Sequence, residues 1–357
     1  MAEKVLMKGN EAIGEAAIHA GCQCFFGYPI TPQTEVAAYM ARKMPKIGRV
    51  FLQAESEVAA INMVYGAAGS GVRVMTSSSS PGISLKAEGI SYIAGAELPC
   101  VIVNIVRGGP GLGSIQPAQS DYFQATKGGG HGDYRLVVFA PSSVQEMVDL
   151  IQDAFDVADI YRNPVMVMGD GMLGQMMEPV EFKERPKREI PSKDSWAATG
   201  LHGRKQHHVI NSLYLQPEKL EEHNKKLSKK YAEIEKNEVR YETYNCEGEV
   251  DLVVAAYGTV SRIVKNAIKI LEKEGIKVGL IRPITLWPFP KKAFEEVTGR
   301  TKHGFISVEL SEGQMVEDVM LSVKGRKPVY FYGRSGGMVP TPAEIAGRIR
   351  AIVGGEK

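Results

Sequence analysis

CQCFFGYPITPQTEVAAYMARK, residues 22–43, runs from an apolar stretch of strand type through the turn YPITP into a helix-type repeat. Thr31 is a favoured N-cap residue, and Pro32 carries the preset φ that suits a first helical position. Local rules therefore predict a helix that opens at Thr31–Pro32. A hydroxyl at that point, beyond the carboxyl end of a strand, is also aimed where an anionic ligand lies in an open parallel sheet. Cap and ligand contact are compatible, and the segment alone leaves both roles open.

Outward from this unit the alternation repeats. RVFLQA precedes ESEVAAINMVYGAAG, VRVMTS precedes ISLKAEGISYIAGAE, and CVIVNIV leads through a Gly-rich loop to QSDYFQATK. RLVVFA, SVQEMVDLIQDAFDVAD and PVMVMGD close the series. Several strands are unbroken apolar runs, the pattern expected where helices cover both faces of a parallel sheet. Residues 1–180 are accordingly expected to form a doubly wound parallel-sheet α/β domain. Between 181 and 249 the composition shifts to RPKREIPSKD and KLEEHNKKLSKKYAEIEKNE, charged and poor in large apolar residues, which suits a linker or surface arm. From 250 to 357, DLVVAAYG, KVGLIRPI, HGFISVEL and PVYFYG alternate with helical stretches as a smaller α/β domain. TPAEIAGRIRAIV closes it, with Thr341, Pro342 and Glu344 as N-cap, N1 and capping-box partner.

The 357 residues carry 43 Lys+Arg against 41 Asp+Glu, a formal net charge of +2, with no basic patch interleaved with aromatics. Nucleic acid is therefore not an expected partner. The longest apolar stretches, such as Cys100–Val106, are far short of the roughly 20 residues that a membrane span needs. MAEKVLMKGNEAIGE at the N-terminus has no signal-peptide h-region, so a cytoplasmic location is expected. Cysteines at 22, 24, 100 and 246 show no CxxC and no Cys/His spacing of a metal site. Cys22 and Cys24 alternate within an apolar run and are expected to be buried structural thiols. An iron–sulfur cluster needs about four thiolates in one place, so none is expected on this chain alone.

Ligands of such sheets bind beyond the carboxyl ends of the strands. Four loops stand there: YPITP, AESE, TSSSSPG and RGGPGLGSIQPAQSD. They offer hydroxyls at Thr31, Thr76 and Ser77 to Ser80, a carboxylate at Glu55 or Glu57, and the Arg107 guanidinium. That set suits a small anionic substrate beside a polar cofactor. Glu55 and Glu57 are two apart, about 200° of helical rotation, so only one can face the crevice. Its carboxyl could hydrogen-bond a neutral heterocycle nitrogen or simply favour the helix N-terminus, and local sequence supports both. GGPGLG is not GxGxxG and opens no helix at once, so no dinucleotide or P-loop site is expected. Gly333–Gly337 matches GxSxG, yet no Asp or His follows Ser335 to complete a hydrolase triad. His202, His207 and His208 lie in the charged arm, where solvated histidines are common.

YPITPQTE, followed by SEVAAINMVYGAAGSGVRVMTSSSSPGISLKAEGISYIAGAELPCVIVNIVRGGPGLG, resembles the alpha subunit of the 2-oxoacid:ferredoxin oxidoreductases. The resemblance extends through GDYRLVVFAPSSVQEM and GLIRPITLWPFP to YGRSGGMVPTPAEI, nearly the whole chain. GRKQHHVINSLYLQPEKLEEHN is more similar to the branched-chain (2-oxoisovalerate, or 3-methyl-2-oxobutanoate) members than to the 2-oxoglutarate members. The family converts a 2-oxoacid, coenzyme A and oxidised ferredoxin into acyl-CoA, carbon dioxide and reduced ferredoxin, using thiamine diphosphate. The resemblance implies that residues 1–180 form the pyrimidine-binding (Pyr) domain and that 250–357 are like the C-terminal domain of transketolases. It places Mg²⁺ and the diphosphate on a separate beta subunit. The [4Fe-4S] clusters belong there or on a small ferredoxin-like iron–sulfur subunit.

By the same resemblance Glu57 matches the glutamate that binds the aminopyrimidine. Its hydrogen bond to the ring nitrogen favours the imino tautomer and hence removal of the thiazolium C2 proton. Thr31 matches the threonine that contacts the substrate's oxo or carboxylate oxygen, and Arg107 the arginine that pairs with its carboxylate. Pro29, Ile30, Ser79 and Ser80 stand at cofactor-lining positions. Gly169-Asp170-Gly171 resembles the start of a diphosphate and Mg²⁺ motif, but SWAATGL at 195–201 lacks the asparagine that should follow. It is therefore read as a strand end, and the chain alone is expected to be inactive. The other readings carried forward are the same chemistry with 2-oxoglutarate or another 2-oxoacid, and a non-catalytic assembly or metabolite-binding subunit.

Overall fold

The alternation is present in the computed structural model, which describes residues 4–183, 186 and 188–355. The first three residues of the N-terminal stretch, and Glu184, Arg185 and Lys187 of the charged arm, lie outside them. From Val5–Lys8 (β1) the chain enters helix Gly9–His19 (α1), strand Cys24–Gly27 (β2) and helix Thr34–Lys43 (α2). Val50–Gln53 (β3) leads to Glu57–Gly69 (α3), Val74–Ser78 (β4) to Ser80–Gly95 (α4), and Cys100–Val106 (β5) through a long loop to Tyr122–Thr126 (α5). Val137–Phe139 (β6), Val144–Tyr161 (α6), Pro164–Asp170 (β7), Gly171–Gln175 (α7) and Met177–Val180 (β8) complete the first series. After the arm come Pro217–Asn237 (α8), Tyr241–Tyr244 (β9), Leu252–Ala255 (β10), Gly258–Glu272 (α9), Val278–Pro283 (β11) and Thr285–Trp287 (β12). Lys291–Val297 (α10), Phe305–Glu309 (β13), Met315–Val323 (α11), Val329–Gly333 (β14) and Pro342–Val353 (α12) end the chain.

Seven strands form the first sheet in the order β12-β6-β7-β5-β4-β2-β3. All its pairs are parallel except β12 with β6. β5 and β7 are buried along their whole length, which is why CVIVNIV and PVMVMGD show so little polar alternation. The second sheet, β14-β13-β10-β11-β9, is parallel except at its β9 edge. β1 and β8 pair separately as an antiparallel ribbon. The Thr341 hydroxyl accepts from the Glu344 amide and the Glu344 carboxylate accepts from the Thr341 amide, so the capping box forms as expected.

Two strands cross the divisions drawn from composition. β9, inside 181–249, is the edge of the second sheet, and β12, inside 250–357, is the edge of the first. The charged arm also does more than connect. α8 buries Leu227, Tyr231 and Ile234, one stripe of an otherwise solvated helix. Lys226 and Lys230 pair with Glu97 of the first domain, and Tyr231 packs edge-on against Trp287. The larger hydrophobic core runs through the first sheet and continues into Val253, Ala255, Phe294 and Phe305 of the second domain.

Candidate active site

The order of the first sheet decides where a ligand can sit. From β2 the chain steps outward to β3, then returns across β2 to β4 and on to β5. Right-handed crossovers therefore put α2 on one face of the sheet and α3 and α4 on the other. α2 packs on α1, and α3 on α4, as this requires. The loops after β2 and β4 diverge, leaving a crevice at the topological switch point. Thr31 follows β2, Glu57 follows β3, Ser79 and Ser80 follow β4, and Arg107 follows β5.

Glu57 is the first residue of α3, and the Ser56 hydroxyl caps that helix by accepting from the Ala59 amide at 3.1 Å. The Glu57 side chain is turned inward, 6% exposed, whereas Glu55 is exposed; only one faces the crevice, as expected, although Glu55 precedes α3 and the separation does not come from helical rotation. Among the described residues no hydrogen bond reaches the Glu57 carboxyl. α4 comes close because residue 82 is glycine: a Cβ there would stand 2.7 Å from Glu57 Oε1 and 2.0 Å from Ser78 Oγ. Ser78 Oγ, Ser79 Oγ and Arg107 Nε are likewise buried without a partner. A carboxyl and two hydroxyls left unpaired at a strand-end crevice are the donors and acceptors that a polar heterocycle would satisfy.

The structure joins Thr31 and Arg107 directly. Arg107 Nη1 donates to the Thr31 carbonyl at 2.9 Å and Nη2 to the Leu112 carbonyl at 3.2 Å. One N–H on each of Nη1 and Nη2 remains for a ligand, while Nε is buried. The Thr31 side chain is exposed. Pro29 and Ile30 are half-buried beside it. Ser80 is engaged within the protein: the Arg107 amide donates to its hydroxyl at 3.1 Å, and its own amide donates to Asn104 Oδ1 at 3.2 Å. Gln33 closes the first loop onto β4, accepting from Ser77 Oγ at 2.6 Å.

The expected helix start at Thr31–Pro32 is not observed. α2 begins at Thr34 with Gln33 as N-cap, and the Thr31–Pro32 peptide is cis. The Pro32 carbonyl, which would have faced along the helix, instead accepts from Asn10 Nδ2 at 2.7 Å and Gln175 Nε2 at 3.2 Å. Tertiary partners on α1 and α7 thus hold the turn outside the helix and leave the Thr31 hydroxyl without a cap role. Asp170 is a strand end, as read. It caps α7 by accepting from the Leu173 amide at 3.0 Å and accepts from the Thr259 hydroxyl of the second domain. Burial pushes its carboxyl up, against these bonds. Ser335 of the GxSxG sequence donates to Glu312. Among the described residues no group of three or more His, Cys, Asp or Glu could hold a metal ion.

Sequence reasoning missed Lys86. It is wholly buried on α4, and its Nζ donates to Thr76 Oγ1 at 2.7 Å and to the Ser77 carbonyl at 3.1 Å. Burial pulls its amine down to about 7, while the Glu57 and Cys100 charges oppose that pull. A signal existed: Lys86 lies three residues after Ile83 and four before Ile90, on the apolar face of α4, where a lone lysine needs an explanation.

Residues 15–243 match the family model for pyruvate flavodoxin/ferredoxin oxidoreductase, thiamine diphosphate-binding. The chain belongs to this family. Residues 250–345 match a further model of the same oxidoreductases, pyruvate:ferredoxin oxidoreductase core domain II. The ketoisovalerate oxidoreductase subunit VorB of Methanothermobacter marburgensis is 52% identical, over 98% of this chain and 98% of its own. The 2-oxoglutarate synthase subunit KorA of Methanocaldococcus jannaschii is 36% identical, over 98% of this chain and 99% of its own. Among solved structures, the 2-oxoglutarate:ferredoxin oxidoreductase from Magnetococcus marinus with 2-oxoglutarate, coenzyme A and succinyl-CoA bound superposes with a TM-score of 0.87 at 28% identity. The match covers 99% of this chain, which spans 66% of that one. The resemblance drawn from the loops therefore holds at the level of fold and oxidoreductase family. No helix among the described residues is long and apolar enough to cross a membrane.

Proposed function

We propose that this chain is the alpha-type subunit of an oxidoreductase that decarboxylates 3-methyl-2-oxobutanoate, passing the acyl group to coenzyme A and electrons to ferredoxin. The observation that carries the reading is Glu57, a carboxyl 6% exposed and unpaired among the described residues, at the switch point of a thiamine diphosphate-binding domain family. When bound, the cofactor supplies the carbon nucleophile and electron sink that decarboxylation needs. Glu57 hydrogen-bonds the aminopyrimidine nitrogen and fixes its protonation. Pro29, Ile30 and Ser79 wall the ring, and Ser80 braces Arg107. The Thr31 hydroxyl meets the substrate's oxo or carboxylate oxygen, and the remaining Arg107 N–H groups meet its carboxylate.

The site is half of one. Leu52 is 41% exposed, Val58 45%, Ile115 56% and Leu112 86%, an apolar rim around the crevice that a partner would cover. That partner is a beta subunit carrying Mg²⁺ and the diphosphate-binding domain. The iron–sulfur clusters sit on partner subunits, in keeping with four free cysteines of which burial pushes Cys22 and Cys100 up to about 12. Residues 1–180 act as the pyrimidine-binding unit and 250–357 as the transketolase C-terminal-like unit, joined by 181–249, in a cytoplasmic complex. The branched-chain substrate follows the 52% relative; the 36% relative and the solved structure favour 2-oxoglutarate as the second reading.

The test is the native complex, purified and assayed with both 2-oxoacids and a viologen acceptor, beside a Glu57→Gln complex. The expected result is preference for 3-methyl-2-oxobutanoate, bound thiamine, and near-complete loss of turnover in Glu57→Gln with assembly intact. Preference for 2-oxoglutarate would transfer the substrate, and a thiamine-free complex would overturn the catalytic reading.

A further inference from the structure

α4 starts without the cap that its first turn calls for. Ser79 is the N-cap residue, yet its hydroxyl accepts no helix amide. Pro81, the second residue of the helix, has no N–H to give, and the Gly82 amide is already bonded to the Ser79 carbonyl at 2.8 Å. The cap comes instead from β5. Asn104, wholly buried, accepts from the Ser80 amide through Oδ1 at 3.2 Å and donates from Nδ2 to Asp121 Oδ2 at 2.9 Å. One side-chain amide thus ties the first residue of α4 to Asp121, the residue before α5. Its neighbours Val103 and Ile105 are apolar and equally buried, and an asparagine among them is costly unless both of its polar ends are used.

The two residues that Asn104 joins bracket the Arg107 loop. At its start the Ser80 hydroxyl bridges the Arg107 backbone, accepting from the amide at 3.1 Å and donating to the carbonyl at 3.3 Å. At its end Asp121 follows Gln119, which is bonded to Leu310 and Tyr257. Between them the loop closes on itself through the Arg107–Pro117 bridge and a bond of 3.0 Å from the Gly108 amide to the Gln116 carbonyl. We propose that Asn104 is a positioning residue for the 2-oxoacid: by setting the separation of Ser80 and Asp121, it fixes where the Arg107 guanidinium presents its free N–H groups. This rests on the assignment of Arg107 to the substrate carboxylate made above. A guanidinium grips a carboxylate as a planar fork, so a small displacement of the backbone that carries it loses bonds to the substrate. Asparagine suits the task because it supplies one acceptor and one donor from a single rigid group; an apolar residue of the same size would leave the Ser80 amide and the Asp121 carboxylate without that partner.

The test uses the native complex at saturating coenzyme A and viologen acceptor, and reads the KM for its preferred 2-oxoacid beside kcat, thiamine content and Tm. Asn104→Asp keeps an oxygen for the Ser80 amide but loses the donor and sets a second carboxylate against Asp121. It is expected to raise KM on the order of tenfold with kcat within about twofold. Bound thiamine is expected to be retained, because Glu57 and Ser79 lie outside the loop. The double variant Asn104→Asp/Asp121→Asn returns a donor to the pair from the α5 side and is expected to recover most of the loss, which a general packing fault at 104 would not allow. An unchanged KM in folded Asn104→Asp, no recovery in the double variant, or thiamine lost in step with KM would overturn the proposal. Arg107→Lys runs in parallel. A raised KM there with Asn104→Asp unaffected overturns the positioning role and leaves the Arg107 assignment standing; an unaltered KM in Arg107→Lys removes that assignment and the proposal with it. Where Asn104→Asp does not assemble, Asp121→Ala withdraws the far anchor alone and is expected to raise KM likewise, and an unaltered KM in that complex counts against the proposal.

Discussion

Glu57 and Gly82 show how much of the site depends on the size of one side chain. An alanine Cβ at 82 would stand 2.0 Å from Ser78 Oγ and 2.7 Å from Glu57 Oε1, so the carboxyl must move or α4 must lift from β4. Overpacking of this kind costs about 1–3 kcal/mol. Gly82→Ala is expected to lower the Tm of the complex and to weaken thiamine diphosphate binding together, read by thermal unfolding and by calorimetry. A folded Gly82→Ala complex with wild-type affinity would show that cofactor binding does not need the carboxyl where it stands. At this scale the sequence was informative that only one of Glu55 and Glu57 turns inward, and the family resemblance, not the spacing, singled out Glu57. It misled about Thr31, because the N-cap preference of threonine is worth only about 1 kcal/mol and the Pro32 carbonyl has stronger claims on it from Asn10 and Gln175.

Helix α8 was legible as a helix and not as a packed one. Lysines and glutamates dominate its sequence, and only Leu227, Tyr231 and Ile234 mark the face that docks. Its attachment is partly electrostatic. Burial pushes the Glu97 carboxyl up, but Lys226, Lys230 and Arg162 outweigh it and hold the group below its ordinary 4.5. A carboxyl depressed in the folded state contributes stability above its unfolded value and loses it as pH falls through the folded one. Acidification below 4.5 is therefore expected to loosen α8. Trp287, packed edge-on against Tyr231, gives the readout: its fluorescence should change over that range, and Glu97→Gln should abolish the transition while lowering stability at neutral pH. A transition identical in Glu97→Gln would assign it to another carboxyl. The short strands β9 and β12 were not legible, because three or four residues carry no mark of which of two sheets they will join.

The loop that begins with Arg107 is tied to elements of the second sheet and the turns beside it. Gln119, in the loop that begins with Arg107, donates from its amide to the Leu310 carbonyl at 2.8 Å and from Nε2 to the Tyr257 carbonyl at 3.1 Å. Gly337 meets Gln116 of the same loop so closely that a Cβ would lie 2.3 Å from Gln116 Cβ. Arg282, 5% exposed on β11, holds Glu146 of α6 with two bonds of 2.9 Å and Glu242 of β9 with one of 2.8 Å. Arg282→Met leaves Glu146 with only its Ser142 partners, a loss of about 1–3 kcal/mol. It is expected to lower Tm and to expose the β11–β12 connection to proteases; an unchanged Tm would mean that the apolar core alone holds the domains. Sequence by itself determined the α/β alternation, that only one of Glu55 and Glu57 faces inward, the capping box of α12 and the family, since periodicity, side-chain spacing and loop order are properties of neighbouring residues. Only the tertiary structure decided that Thr31 caps nothing, that Lys86 is buried against Thr76 and Ser77, and that β9 and β12 change sheets. Each of these rests on partners far away along the chain, and the free energy that selects them exists only once distant elements are packed together.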